Sequence, residues 1–198
     1  MLRVGEGNIE ELPEMRGEAL TEPSNISKIS HNLGLATWFG GALFGQIALN
    51  PTISRISDKG ERGRVLNEAW GRFNAVNFLA IAATLLSWRL GGLKVDGELR
   101  APGLTRLKNL MLGGAAINGI ASGILGARIA SQSQEGDTPV EAGTHPAPET
   151  PDAAAQSQRL IALTGPSALA LLIGVIAAST VIETSAVKPR GVLSRLLD

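Results

Sequence analysis

The sequence predicts an all-α fold: an integral membrane four-helix bundle with a flexible polar N-terminal tail and a long loop between the third and fourth helices. Three observations predict it. Charge is segregated, because residues 32–54, 73–88, 109–127 and 160–182 contain no Asp, Glu, Lys or Arg, and all 18 basic and 18 acidic side chains fall outside them. The runs have the right length, since a helix crossing the hydrocarbon needs about 20 predominantly apolar residues and each central charge costs roughly 2.5–3.5 kcal/mol on insertion scales. A polar face is missing, whereas a helix of a soluble bundle carries charges every few residues along its wetted side. The second run is the shortest and reaches spanning length when Arg72 and Arg89 snorkel at its ends.

The elements follow in order. Residues 1–30 form a polar tail with Glu6, Glu10, Glu11, Glu14, Glu18 and Glu22, broken at Pro13 and Pro23. It lacks the apolar run of a secretory signal, so insertion is expected to use the first span itself, and the tail is either disordered or a short helix around residues 9–19. Residues 31–130 hold the first three transmembrane helices with their connectors. The first span ends or kinks at Asn50-Pro51, because proline disfavours helix in the residue before it. The connector 54–71 mixes seven charged side chains with Val65, Leu66, Ala69 and Trp70 at helical spacings. It is either an amphipathic helix lying at the interface or a solvated loop. Residues 89–108, with Gly91-Gly92, Gly97 and Pro102-Gly103, read as a short polar crossing loop. Residues 131–158 carry four prolines and five acids without Lys or Arg, the composition of a flexible hydrated loop. The fourth helix is expected over 159–187, with a break at Gly165-Pro166, and a short basic tail over 188–198.

Topology follows from the basic side chains. With the N-terminus in the cytoplasm, Lys and Arg divide eleven inside to seven outside, which places both termini on the cytoplasmic side of a cell (inner) membrane. Trp70 and Trp88 then stand at opposite ends of the second span, in the headgroup zone that indoles favour.

Composition excludes several chemistries. A net charge of zero gives no reason to expect nucleic acid. Without cysteine there is no disulfide, thiolate site or quinone-linked thiol oxidation. His31 stands at the mouth of span one and His145 in the long loop, too far apart to ligate a haem together. Met1, Met15 and Met111 are isolated, and no His/Glu spacing of the di-iron kind is present. No catalytic, cofactor or metal residue is therefore expected, and the chain reads as no enzyme.

Two patterns remain. Ala115, Gly119, Gly123 and Ala127 in span three, and Thr37, Gly41 and Gly45 in span one, are small residues four apart, a stripe that lets helix backbones approach closely. The intramembrane polar residues are all neutral; Gln46, Asn74, Asn77 and Asn118 either bond neighbouring helices or line a polar path. A faint echo joins the halves, with Gly40-Gly41-Ala42 and Ile47-Ala48 recurring as Gly113-Gly114-Ala115 and Ile120-Ala121.

His31-Asn32-Leu33, then Ala36-Thr37-Trp38-Phe39-Gly40-Gly41 and Asn50-Pro51, resemble the opening of the transmembrane-protein-205-like family, itself similar to the membrane domain of copper-resistance D proteins. The likeness covers residues 31–88. It implies a four-helix membrane protein with a link to metal or drug resistance. The absence of cysteine departs from copper handling, so no ligand is carried across. The function expected from all this is a non-catalytic accessory or interaction subunit in the lipid bilayer, with a membrane-protein partner or a second copy of itself. The alternative is a small transporter or channel component using the neutral polar path.

Overall fold

The computed structural model describes residues 23–90 and 101–186, and these are mostly helical. Helix α1 (Pro23–Phe44) runs into a π-helical turn at Gly45–Leu49, a single α turn at Asn50–Thr52 and a 3-10 turn at Ile53–Arg55. The distortion has a local cause. Pro51 offers no N–H and its ring crowds the carbonyl four residues back, so the regular ladder cannot continue through it. The Asn50 N–H donates instead to Gly45 O, five residues back, and the chain widens into the π turn.

Helix α2 (Lys59–Leu90) opens on Asp58, whose Oδ1 accepts the Glu61 N–H at 2.7 Å and caps the first turn. Helix α3 (Pro102–Ala130) opens with proline in its first turn, where a missing N–H costs nothing. A small antiparallel hairpin follows, β1 (Val140–Ala142) with β2 (His145–Pro146), and then the 35-residue helix α4 (Asp152–Ala186).

The helices form two pairs. Helix α1 packs along α2 and α3 along α4, while contact between the pairs is thin. Glycine sets the close approach within the first pair: a Cβ at Gly41 would overlap the Phe73 ring, and one at Gly45 the Trp70 ring. A hydrophobic cluster of Leu35, Trp38, Ala80, Ile81, Leu112, Ala115, Ala116, Leu172 and Val175 joins the two pairs. A second, smaller cluster of Ile53, Leu66 and Val140 lies at the end where the hairpin sits.

Four expectations are modified. Connector 54–71 is neither a separate interfacial helix nor a loop: from Lys59 onward it is the first part of one continuous helix, because its apolar residues extend the face α2 already presents to α1 and to the hairpin. Residues 131–158 are not a structureless loop. Val140 is fully buried, the Gly143 N–H donates to Asn50 O at 3.0 Å, and residues from Asp152 already belong to α4. Gly165-Pro166 does not break α4, which passes through it. Helix α1 begins before residue 31. Among the described residues two helices are long and apolar enough to cross a membrane, Pro102–Ala130 and, within α4, Asp152–Thr184. The tail 1–22, the centre of the 89–108 connector and the basic tail 188–198 lie outside the described residues.

Candidate functional site

Where the two helix pairs part, a cavity of about 450 Å³ opens between α2 and α3, backed by α1 and α4. Helix α2 contributes Asn67, Trp70, Gly71, Phe73, Asn74, Asn77 and Phe78, one face over about three turns. Helix α3 contributes Gly119, Ser122, Gly123, Gly126, Ala127 and Ala130, whose small side chains leave the space. Trp38, Gln46 and Asn50 come from α1 and its π turn, and Ile161, Gly165 and Ala168 from α4. The exposed Gly71, Phe78 and Ala127 stand on the rim, so the cavity opens sideways between α2 and α3. Gly143 of the hairpin borders one end. At the other, Trp38, 1% exposed, seals the floor against the joining cluster.

The π turn explains how Gln46 reaches this space. Its side chain lies against α4 at Gly165, where a Cβ would collide with the Gln46 amide. Asn50, freed from a regular helix by Pro51, turns its Oδ1 to accept the Trp70 Nε1–H at 3.2 Å. Asn67 Nδ2 donates to Gly136 O at 2.7 Å, which ties α2 to the segment ahead of the hairpin. The Ser122 and Thr164 hydroxyls bond each other at 2.7 Å across α3 and α4. Trp70 and Phe73 meet edge to face, centroids 5.9 Å apart.

Among the side chains of the lining, one polar atom is both buried and unbonded. Asn77 is 9% exposed, and its Oδ1 is buried without a hydrogen-bond partner. Such an orphan costs about 1–3 kcal/mol. Among the described residues no Asp, Glu, Lys, Arg or His lines the cavity.

Three of the four residues predicted as a polar path, Gln46, Asn74 and Asn77, thus share this one cavity. Asn118 does not line it; its Nδ2 donates to Gly114 O within α3 at 2.8 Å. Beyond Trp38 the polar groups bond to backbone: the His31 Nδ1–H donates to Thr84 O at 2.9 Å, Ser27 Oγ to Ser87 O at 2.6 Å, and Thr84 Oγ1 to Ala80 O at 2.8 Å. The small-residue stripes pack inside the chain. Gly119 lies against Trp38 and Gly123 against Phe78, Ala115 is fully buried, and Gly41 and Gly45 seat the rings of Phe73 and Trp70. Thr37 alone of those seven faces outward with no part in the cavity, while Ala127 is exposed on its rim.

The hairpin end is held by charge. Lys59 Nζ lies 3.2 Å from Glu149 Oε2 and 3.5 Å from Glu141 Oε2. Arg62 donates from Nε to Ile56 O at 2.6 Å and from Nη1 to Glu141 O at 2.9 Å. The hydrogen bond to Glu149 raises the Lys59 pKa above its ordinary value, with both carboxylates adding to it. Glu149 is held below its own, first by its backbone N–H and then by Lys59. Sequence reading missed this site because its rim comes from a segment whose composition resembles disorder. The signal that could have found it is the match between the acids of 131–158 and the basic side chains of 55–64.

Among the described residues no three His, Cys, Asp or Glu side chains gather closely enough to hold a metal ion. No protein family, curated protein or solved structure matches the chain.

Proposed function

We propose that the chain is a non-catalytic, four-span integral membrane protein that works as a small transporter component, its cavity receiving an uncharged amphipathic molecule from the bilayer. The observation that carries this reading is the cavity itself: neutral amides and aromatic rings from α1 with its π turn and from α2 converge on one space that no charge among the described residues enters. An ion placed there would lose its hydration without gaining a counter-charge, so uncharged ligands are favoured. The sideways opening suits a molecule already dissolved in lipid. The packed floor at Trp38 suits a pocket that holds its ligand better than a continuous pore.

Four spans are supported by large apolar side chains that stay exposed on every helix, among them Leu33, Leu79, Ile117 and Leu163, each more than 60% exposed. Helix α2 is about 48 Å long and α4 about 52 Å at 1.5 Å per residue, well beyond a hydrocarbon core of about 30 Å. Their first turns therefore stand outside the bilayer and carry the hairpin between them. With both termini cytoplasmic, that end faces outward. Of the basic residues of the first connector, which count against this orientation, Lys59, Arg62 and Arg64 are paired there with acids of their own surroundings.

Proteoliposomes test the reading. Transbilayer movement of a nitrobenzoxadiazole-labelled monoacylglycerol, followed by dithionite quenching, is expected to speed up with the protein present, without ion conductance. Gly126 lines the cavity, and a Cβ there meets nothing, so Gly126→Leu is expected to take up cavity space and abolish the acceleration. Unaccelerated movement, or movement indifferent to that substitution, removes the reading.

A second reading, the accessory subunit, is favoured by Ala36, Thr37 and Gly40, which leave a small-residue face of α1 open to a neighbouring helix. Native mass spectrometry after mild extraction decides it: a bound membrane partner or second copy supports it, and a lone monomer counts against it.

A further inference from the structure

We infer that the turn of the hairpin is a lid over a second mouth of the cavity, through which the ligand passes between the cavity and the water beyond the hairpin end. The inference rests on the cavity binding a ligand in a membrane, as proposed above, and adds a route to water beside the sideways opening to lipid. Gly143 and Thr144 form the two-residue turn between β1 and β2. Such turns normally run over the surface. Gly143 instead is buried and lines the cavity. Only Gly136 takes a positive φ among the described residues, so glycine is needed at 143 for space. A Cβ there would stand 2.6 Å from the Asn50 Cβ and 2.5 Å from its Oδ1. The turn is thus seated directly on Asn50, whose Oδ1 holds the Trp70 ring at the cavity wall.

The attachments divide into a firm base and a light tip. At the base, Val140 is fully buried with Ile53 and Leu66, and Thr138 Oγ1 donates to Ile129 O at 3.1 Å. The Thr138 carbonyl lies so close to Gly63 that a Cβ there has no room, and Arg62 Nη1 donates to Glu141 O at 2.9 Å. At the tip, the Gly143 N–H donates to Asn50 O at 3.0 Å, while Gln158 Nε2 reaches Ala142 O only at 3.5 Å. The remaining ties are the ion pairs of Glu141 and Glu149 with Lys59 and Arg62, and these carboxylates are 52% and 61% exposed. Pairs so exposed contribute little to stability. The tip therefore lifts while the base stays, as weakly held elements open locally ahead of the fold.

Quenching of tryptophan emission by acrylamide, a neutral quencher carried by water, reads the lid in phosphatidylcholine nanodiscs. Trp88→Phe leaves Trp38 and Trp70 as the only tryptophans, and both line the cavity. In that background Glu141→Gln with Glu149→Gln removes two exposed charges and keeps their shape. The quenching constant is expected to rise about two- to fivefold, the worth of the exposed ion pairs lost. Gly143→Ala, which unseats the turn, should raise it at least as far. High salt should raise it in the parent and leave the glutamine pair unmoved. Transfer of the labelled monoacylglycerol from proteoliposomes to protein-free vesicles should quicken in step. Quenching that ignores both variants, or transfer that does not follow it, overturns the lid, while accelerated transbilayer movement would keep the transporter reading standing. If quenching rises but the protein speeds neither transfer nor transbilayer movement, the transporter reading falls and the ligand route falls with it.

Discussion

At the scale of single residues, the glycines divide into two kinds that sequence treats alike. Gly45 and Gly126 both sit in helical segments four residues after a small one, Gly41 and Ser122, yet a Cβ on Gly45 would overlap the Trp70 ring and one on Gly126 would enter open space. The same substitution should therefore have opposite signs. Gly126→Ala is expected to stabilise by about 1 kcal/mol through helix propensity. Gly45→Ala should destabilise by about 1–3 kcal/mol, because the ring must shift within a packed pair. Unfolding in mixed micelles at rising dodecyl sulfate, followed by circular dichroism, measures both. Equal effects would mean that Gly45 does not seat Trp70. The stripe spacing marked Gly41, Gly45, Gly119 and Gly123 as close-approach points in advance. What each one approaches was invisible, because the facing rings come from a helix far away in the chain.

At the scale of elements, the informative piece is the hairpin over 140–146. Composition pointed to a hydrated loop, and the balance is narrow: one buried apolar residue, Val140, a backbone bond from Gly143 to Asn50, and ion pairs to Lys59 and Arg62 hold it. None of these is a local signal, which is why four prolines and five acids looked like disorder. The ion pairs predict a pH window for docking. Glu149 has a lowered pKa in the folded protein, so its contribution is complete above the ordinary glutamate value and disappears as pH falls through the lowered one. Lys59 has a raised pKa, so its contribution is complete below the ordinary lysine value and disappears as pH rises through the raised one. The hairpin should be held most firmly between those limits and loosen at both edges, and more easily in high salt, since both partners are exposed. The chain has no cysteine, so a spin label at His145→Cys is unique and its mobility reads the window directly. Mobility that is flat across the whole range, or unaltered by Lys59→Ala, would show that Val140 and Gly143 hold the hairpin alone. Other element-level features were legible. Asn50-Pro51 announced the end of regular helix, and the structure adds that it takes the form of a π turn that aims Gln46 into the cavity.

At the scale of the whole molecule, the segregation of charge anticipated four helices, and the structure has them, two of them plainly long and apolar enough to cross a membrane. The cavity could not be read in advance for a physical reason: it exists where the α1/α2 and α3/α4 pairs fail to pack closely, and a gap between pairs leaves no periodic trace in either. Asn74 and Asn77 were recognisable as polar residues in an apolar run, but their convergence with Gln46 depends on the π turn and on Gly165. The central claim is that four helices cross lipid with the hairpin and the first connector together on the outer face. Single cysteines at Ser57, His145 and Lys28, labelled in intact cells with a membrane-impermeant maleimide, test it most directly. The account predicts that positions 57 and 145 react from outside and that position 28 reacts only after permeabilisation. Reaction at all three in intact cells, or at 57 and 145 on opposite faces, would contradict it.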